Sequence, residues 1–451
     1  MIRRIVVLGA AGDLATRHLL PALAHLLDLG HLPVDLRVVG VGREPLTSDS
    51  YRDLATARLE SQAPHVPPHA REELVGRLDY HQLDLERRPD LGPLLEDGPV
   101  IAYLALPPSV YPKALSALKA GGLRAGSRVV VEKPFGEDLA SARELSRLLH
   151  DVAPEREIYR IDHFLYHQMV QDLLALRLGS PLFETVWNRE YVESVEIRWE
   201  ETAGLAGRAD FFDRTGALKD MVQSHLLQLL SLVAMEPPDA LDEQSLRDAK
   251  VAALRRVCSL DAGEVAVRTA RGRYTSGGVR GIDLPDYIDE AGVDLSRNTE
   301  TYAALELTVD SPRWTGVPFL LRTGKALGQP ARTVTLHFRP TAGRAIAAVP
   351  MVLRLGMAPD TVTFQLPVSG VGGLPEVGIA ALEVTRPRQQ MPASARMLRD
   401  VLAGDPTFTV RDDEAEQCWR IVDPIVAAWK AGAPVLQDYE AGSAGPRLPW
   451  A

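Results

Sequence analysis

Two short stretches place an acid and a histidine where they could move a proton. Arg160-Ile161-Asp162-His163-Phe164-Leu165-Tyr166-His167 follows an apolar run expected to be a strand, Glu157-Ile158-Tyr159. Lys219-Asp220-Met221-Val222-Gln223-Ser224-His225 opens an apolar, helical pattern. If Asp162 holds one imidazole nitrogen of His225, the other nitrogen can take a proton from a hydroxyl. Spacing alone favours a plainer reading, a strand end followed by a solvated polar turn. A lone histidine among leucines is also more often a core residue than a base. A third stretch, Gly9-Ala10-Ala11-Gly12-Asp13-Leu14, joins an apolar run to a helical pattern. Glycine there lets the backbone approach a pyrophosphate, and the first N–H groups of a helix attract it. One glycine of the usual G-x-G-x-x-G pattern is missing, which leaves a tight strand-to-helix turn as the alternative.

These residues need elements to hold them. Ile5-Val6-Val7-Leu8 reads as a central parallel strand, 14–29 as a helix and Leu36 to Val41 as a second strand, the opening of a doubly wound nucleotide fold. Tyr51 to Leu78 reads as helical with a break at its prolines. Val100 to Ala105 and Arg128 to Glu132 read as further buried strands, and Asp138 caps a helix running to Leu149. Beyond Pro154 the pattern alternates, as in Val195 to Trp199, Tyr302 to Val309 and Thr333 to Phe338, which suggests antiparallel strands. Helices are expected at Asp220 to Met235 and Ser394 to Ala403. Strand β-branching and helix starts thus place Arg43 just past the second strand, where an arginine suits the 2′-phosphate of NADP. Its neighbour Glu44 would repel that phosphate or hold a ribose.

The chain has 451 residues, enough for more than one sizeable core, and a net charge of −10 that argues against a nucleic-acid surface. Cys258 and Cys418 are its only cysteines. They form no metal or disulfide framework, so a reducing cytoplasm fits. No apolar run is long enough for a membrane helix. His163 and His167 are spaced for one helix face, but no carboxylate trio accompanies them, and no metal is expected.

Arg160 to Leu165 resembles the R-I-D-H-Y-L-G-K-E signature of the glucose-6-phosphate dehydrogenase family, and Lys219 to Leu230 resembles its R-D-M-V-Q-N-H-L-L-Q. Tyr103-Leu104-Ala105-Leu106-Pro107-Pro108, Glu132-Lys133-Pro134-Phe135-Gly136, Thr299-Glu300-Thr301 and Arg322-Thr323-Gly324-Lys325 also match, in family order. The resemblance implies that His225 is the base, oriented by Asp162, and that Lys133 contacts both cofactor and sugar across a cis Lys133–Pro134 bond. It implies a cofactor site of Gly9, Ala11, Gly12, Asp13, Leu14 and Arg43, with Tyr103, Leu106 and Pro107 along the nicotinamide side. Glu201, Asp220 and Lys325 are implied as ligands of sugar hydroxyls, and His18, His163 and His167 fall at substrate-side positions. It further implies a homodimer or homotetramer formed through the second domain's sheet.

The phosphate grip departs from the family. His18 and His167 stand where lysines are usual, Phe164 replaces a tyrosine, Tyr166 replaces a glycine, and a family arginine counted without gaps from Lys325 falls on Pro330. Histidine is largely neutral at pH 7, so fixed positive charge is lost, and Tyr166 in place of glycine adds bulk to the pocket. The expectation is therefore an α/β enzyme with a Rossmann-like, doubly wound domain at 1–154. An α+β domain at 155–451, with a large, mainly antiparallel sheet, would bind substrate and oligomerise. It would oxidise C1 of a hexopyranose to a δ-lactone with NADP, or alternatively NAD. The departures tip the expected sugar toward an unphosphorylated or modified one, with glucose 6-phosphate as the alternative. A non-catalytic nucleotide-binding relative would be expected to lose members of the proton-transfer set, yet Asp162, His225 and Lys133 are all present. The remaining expected partner is a small sugar, with neither nucleic acid nor membrane.

Overall fold

The computed structural model describes residues 2–87, 89–205, 207–340, 351–357, 360–374, 376–384 and 391–450. Their contacts divide into two compact units: the described residues of 1–166, 241–247 and 388–416, and those of 167–240, 248–387 and 417–451.

The first unit is built on six strands, β1 (Arg4–Leu8), β2 (Arg37–Gly42), β3 (Leu78–Gln82), β4 (Ile101–Leu104), β5 (Arg128–Glu132) and β6 (Ile158–Ile161). All pair parallel, in the order β3-β2-β1-β4-β5-β6. Strand order reverses between β1 and β4, the switch point at which such sheets bind ligands. Ile5, Val6, Val7 and Leu8 are each at most 1% exposed, as a strand covered on both faces requires. The helix expected at 14–29 is instead a π-helical turn, Ala15–Leu19, running into an α-helix, Leu20–Asp28. Pro21 explains the difference, since it has no N–H to close the ordinary α-helical bond at that step. The Leu139–His150 helix starts as read, with Asp138 accepting the N–H of Ser141. The helix Ala393–Ala403 belongs to this unit: Arg128 Nη1 donates to the carbonyls of Val401 and Leu402, and the N–H of Val410 donates to Arg160.

The second unit contains β7 (Val192–Glu200), β8 (Thr269–Thr275), the hairpin β9 (Gly277–Val279) and β10 (Ile282–Leu284), β11 (Tyr302–Leu307), β12 (Phe319–Gly324), β13 (Ala331–Phe338), β14 (Val352–Gly356), β15 (Thr361–Ser369), β16 (Val377–Val384) and β17 (Gln437–Glu440). Its nine-stranded sheet runs β16-β15-β14-β13-β7-β12-β11-β8-β17. Pairing is antiparallel except for β7 with β12 and β8 with β17. The expected helix at 220–235 is a π-helical stretch, Leu218–Leu226, continued by the α-helix Leu227–Ala234.

Candidate active site

At the carboxyl ends of β1, β2 and β4 the first unit opens a cleft of about 250 Å³, lined among others by Gly9, Gly12, Arg43, Glu44, Leu106 and Pro107. Gly9 sits at φ +87°, and a Cβ there would lie 2.2 Å from the Ala105 carbonyl oxygen. Its N–H donates to Val41 at 2.8 Å, which pins the turn to the end of β2. Only glycine fits this position, and the bare backbone it leaves is a cradle suited to a dinucleotide pyrophosphate. Ala11 completes the turn, and Asp13 and Leu14 begin the helical segment beyond it. Asp13 pairs with Arg17 at 3.1 Å. The Arg43 side chain is 81% exposed, with Nε 3.9 Å from Glu44 Oε1.

The end of β5 carries a carboxylate that sequence reading quoted without giving it a role. Glu132, the last residue of β5, is buried. It accepts hydrogen bonds from the hydroxyl of Tyr103 and, at 2.9 Å, from His163 Nε2. The Tyr103 ring therefore turns inward to Glu132, leaving its backbone at the strand. Burial opposes charge on His163, but the Glu132 carboxylate outweighs it and raises the imidazole pKa. Burial, then the neighbouring His163, lower the pKa of His18. The two neighbouring imidazoles are thus shifted in opposite directions, His163 up and His18 down. The Lys133–Pro134 bond is cis. Asp162 is fully buried at the end of β6, and its Oδ1 accepts the N–H of Phe164 at 3.0 Å.

In the second unit three adjacent strand ends converge. Gly324, the last residue of β12, pairs with Glu200, the last of β7, while Ala331 and Arg332 begin β13 opposite Glu200 and Trp199. Lys325 and Arg332 consequently flank Glu201. Lys325 Nζ is 2.8 Å from Glu201 Oε2 and lies 5.0 Å from the Phe212 ring centroid. The guanidinium of Arg332 lies 5.2 Å from the Trp199 ring centroid, and the His167 ring lies 6.4 Å from it. Arg332 Nε is buried and donates to no group among the described residues. Sequence reading missed Arg332. Its signal was the strand register, which sets it directly across from Trp199.

His225 and Asp220 both lie on the π-helical stretch, His225 buried and Asp220 partly exposed. Gly216, just before it, has φ 71° and ψ 168°, and a Cβ there would lie 2.4 Å from Glu300 Oε1. Glu300 accepts the Leu218 N–H at 3.0 Å, and burial pushes its carboxyl up to about 7. Asp162 belongs to the first unit and His225 to the second.

Residues 6–172 match the family model described as the glucose-6-phosphate dehydrogenase NAD binding domain, and 174–449 match that of the C-terminal domain. A glucose-6-phosphate 1-dehydrogenase of Gluconobacter oxydans is 38% identical, the alignment covering 98% of this chain and 94% of that protein. One of Zymomonas mobilis is 36% identical, covering 99% and 96%. A solved glucose-6-phosphate dehydrogenase in complex with its substrate superposes with a TM-score of 0.90 at 30% identity, covering 99% of this chain and 96% of that one.

The expectation of an unphosphorylated or modified sugar is overturned by these relatives, which are named for glucose 6-phosphate; the solved one is a complex with it. Two structural features remove the grounds for expecting lost charge and a filled pocket. Counting without gaps landed on Pro330 and passed over Arg332, a fixed cation that cross-strand pairing brings to Trp199 and His167. Tyr166 does not fill a pocket with bulk: it is 2% exposed and packs edge-on to Phe408 in the first unit's interior.

Proposed function

The chain belongs to the glucose-6-phosphate dehydrogenase family, and on that premise we propose that it is a glucose-6-phosphate 1-dehydrogenase proper, oxidising glucose 6-phosphate to 6-phosphogluconolactone with NADP. The observation that carries this reading is the match to enzymes of that name along nearly the whole of both chains. Residues 1–154 are assigned to the cofactor, and 155–451 to the sugar and to self-association. Gly9, Ala11, Gly12, Asp13 and Leu14 cradle the pyrophosphate, Arg43 meets the 2′-phosphate, and the backbone at Tyr103, Leu106 and Pro107 runs along the nicotinamide. When bound, the cofactor supplies the hydride acceptor.

His225 takes the C1 hydroxyl proton, and Asp162 orients the imidazole and steadies its charged form. Glu201 and Asp220 accept hydrogen bonds from sugar hydroxyls, Lys325 donates to one, and Lys133 donates to sugar and cofactor. The phosphate is gripped by His163, His167 and Arg332, with His18 as a further donor. The upward shift that Glu132 gives the His163 imidazole supports this grip, as does the unpartnered Nε of Arg332.

A homodimer or homotetramer is assigned to the second unit's sheet, a reading supported by the exposed Ile379, Leu382 and Val384 of its edge strand β16. A cytoplasmic location is supported by a sequence with two cysteines and no disulfide framework. No helix among the described residues is long and apolar enough to cross a membrane. The test is cofactor reduction, followed by absorbance, with glucose 6-phosphate, glucose, and amino and deoxy hexoses. Glucose 6-phosphate is expected to exceed glucose in specificity constant by roughly a thousandfold or more, as a site built around a charged group requires. Equal use of glucose would overturn the proposal.

A further inference from the structure

We propose that Tyr80 biases the enzyme toward NADP over NAD by tethering the carboxylate of Glu44. In this fold an acid just past β2 accepts the ribose hydroxyls of NAD, whereas an arginine there meets the 2′-phosphate of NADP. This chain has both side by side, Arg43 and Glu44. Which cofactor fits best therefore depends on where the Glu44 carboxylate is held.

Its Oε2 lies toward β3, while Glu44 lines the cleft together with Gly9, Gly12 and Arg43. Sheet order puts β3 on one flank of β2 and β1, with its Gly9–Gly12 turn, on the other. Tyr80 stands in β3. Its hydroxyl is 3.1 Å from the Glu44 carbonyl oxygen and 3.4 Å from Glu44 Oε2. Gly42 makes room for the contact, since a Cβ there would lie 2.6 Å from Oε2 and 2.7 Å from the phenol oxygen. Tyr80 is itself fixed: its ring packs on Tyr51 at 5.1 Å, and its N–H donates to Ser48 Oγ at 3.0 Å. Burial, then Glu44, push the phenol up to about 12, so it remains a donor throughout the neutral range. Arg43 stays largely exposed beside the cleft, with a negative neighbour tied back toward β3. Released, that carboxylate can swing to the ribose, where it accepts hydroxyls and repels a phosphate.

The inference rests on the dinucleotide reading of the cleft and on nothing about the sugar. Its test is calorimetric binding of oxidised NADP and NAD to the purified protein without sugar. Tyr80→Phe keeps the ring and is expected to shift the ratio of dissociation constants toward NAD by about fivefold, the effect of one unit-charge repulsion over a few ångströms of water. Glu44→Asp keeps the charge but falls short of the phenol, and is expected to do the same if the Phe variant folds poorly. In a Glu44→Gln background the Tyr80 substitution is expected to have no further effect, as coupling through one pair demands. An unchanged ratio, a shift toward NADP, or a shift that persists without the Glu44 charge would overturn the tether. Failure of the unmutated protein to bind either cofactor would overturn the tether and the dinucleotide reading together.

Discussion

On the proposed function, Arg332→Ala should separate recognition of the phosphate from recognition of the sugar. Arg332 offers a fixed charge and a buried Nε with no acceptor among the described residues, beside His167 across the Trp199 ring. A hydrogen bond to a charged group contributes about 1.5–3 kcal/mol, which corresponds to roughly 10–150-fold in affinity. The Arg332 side chain is 36% exposed and its carboxylate neighbour Glu201 stands 4.0 Å away, so the lower part of that range, roughly 10–30-fold, applies. The Michaelis constant for glucose 6-phosphate should rise by that factor, with kcat within about threefold of wild type, because a grip on the far end of the sugar acts alike on ground and transition states. The specificity constant for glucose should hardly move. Arg332→Lys should fall between, since lysine keeps the charge but not the flat guanidinium that stacks on Trp199. The assay is initial rates with both sugars at saturating NADP. An equal proportional loss for the two sugars would show that Arg332 supports the sheet rather than the phosphate, and no loss at all would refute the reasoning outright.

Three further perturbations probe other parts of the site. His225→Asn should leave cofactor and sugar affinity nearly intact while lowering turnover by roughly two to four powers of ten; near-normal turnover would remove His225 from the base role. Arg43→Ala should raise the Michaelis constant for NADP far more than that for NAD, and equal changes would show that Arg43 does not read the phosphate. Glu300 has its carboxyl raised by burial from 4.5 to about 7. The unfolded chain therefore loses that proton first, and native stability contributed by Glu300 falls as pH rises across that interval and levels above it. Melting temperatures of Glu300→Gln and wild type should diverge in the variant's favour over the same interval, whereas parallel curves would show that Glu300 does not carry the effect.

What was legible in the sequence was local. The strand, turn and helix around Gly9 are written in consecutive residues, and so is the cap at Asp138, because each depends on backbone geometry a few residues long. The resemblance likewise suggested roles for His225, Asp162 and Lys325 from their immediate neighbours, and those roles stand as proposals. What could not be read was registration between distant strands. Nothing near Arg332 announces that it faces Trp199, more than a hundred residues earlier, since that depends on how β13 pairs with β7. The same holds for Tyr80 and Glu44, brought together by β3 lying beside β2. Tyr166 misled for the opposite reason: its type suggested bulk in a pocket, and only its packing on Phe408 shows that the bulk goes into the interior.

The first unit is not a continuous piece of chain, and this affects how it can be made on a ribosome. Its six parallel strands are complete by Ile161, but Arg128 and Arg160 bond to backbone of residues 401–410. The whole intervening stretch must be synthesised before those partners exist. At roughly 5–20 residues per second this is on the order of tens of seconds. Through that interval the nascent sheet carries an uncovered flank, while the second unit's strands are still emerging. A fragment ending near Pro154, cut for crystallisation or for a binding assay, would keep that defect permanently, so cofactor measurements belong on the full chain.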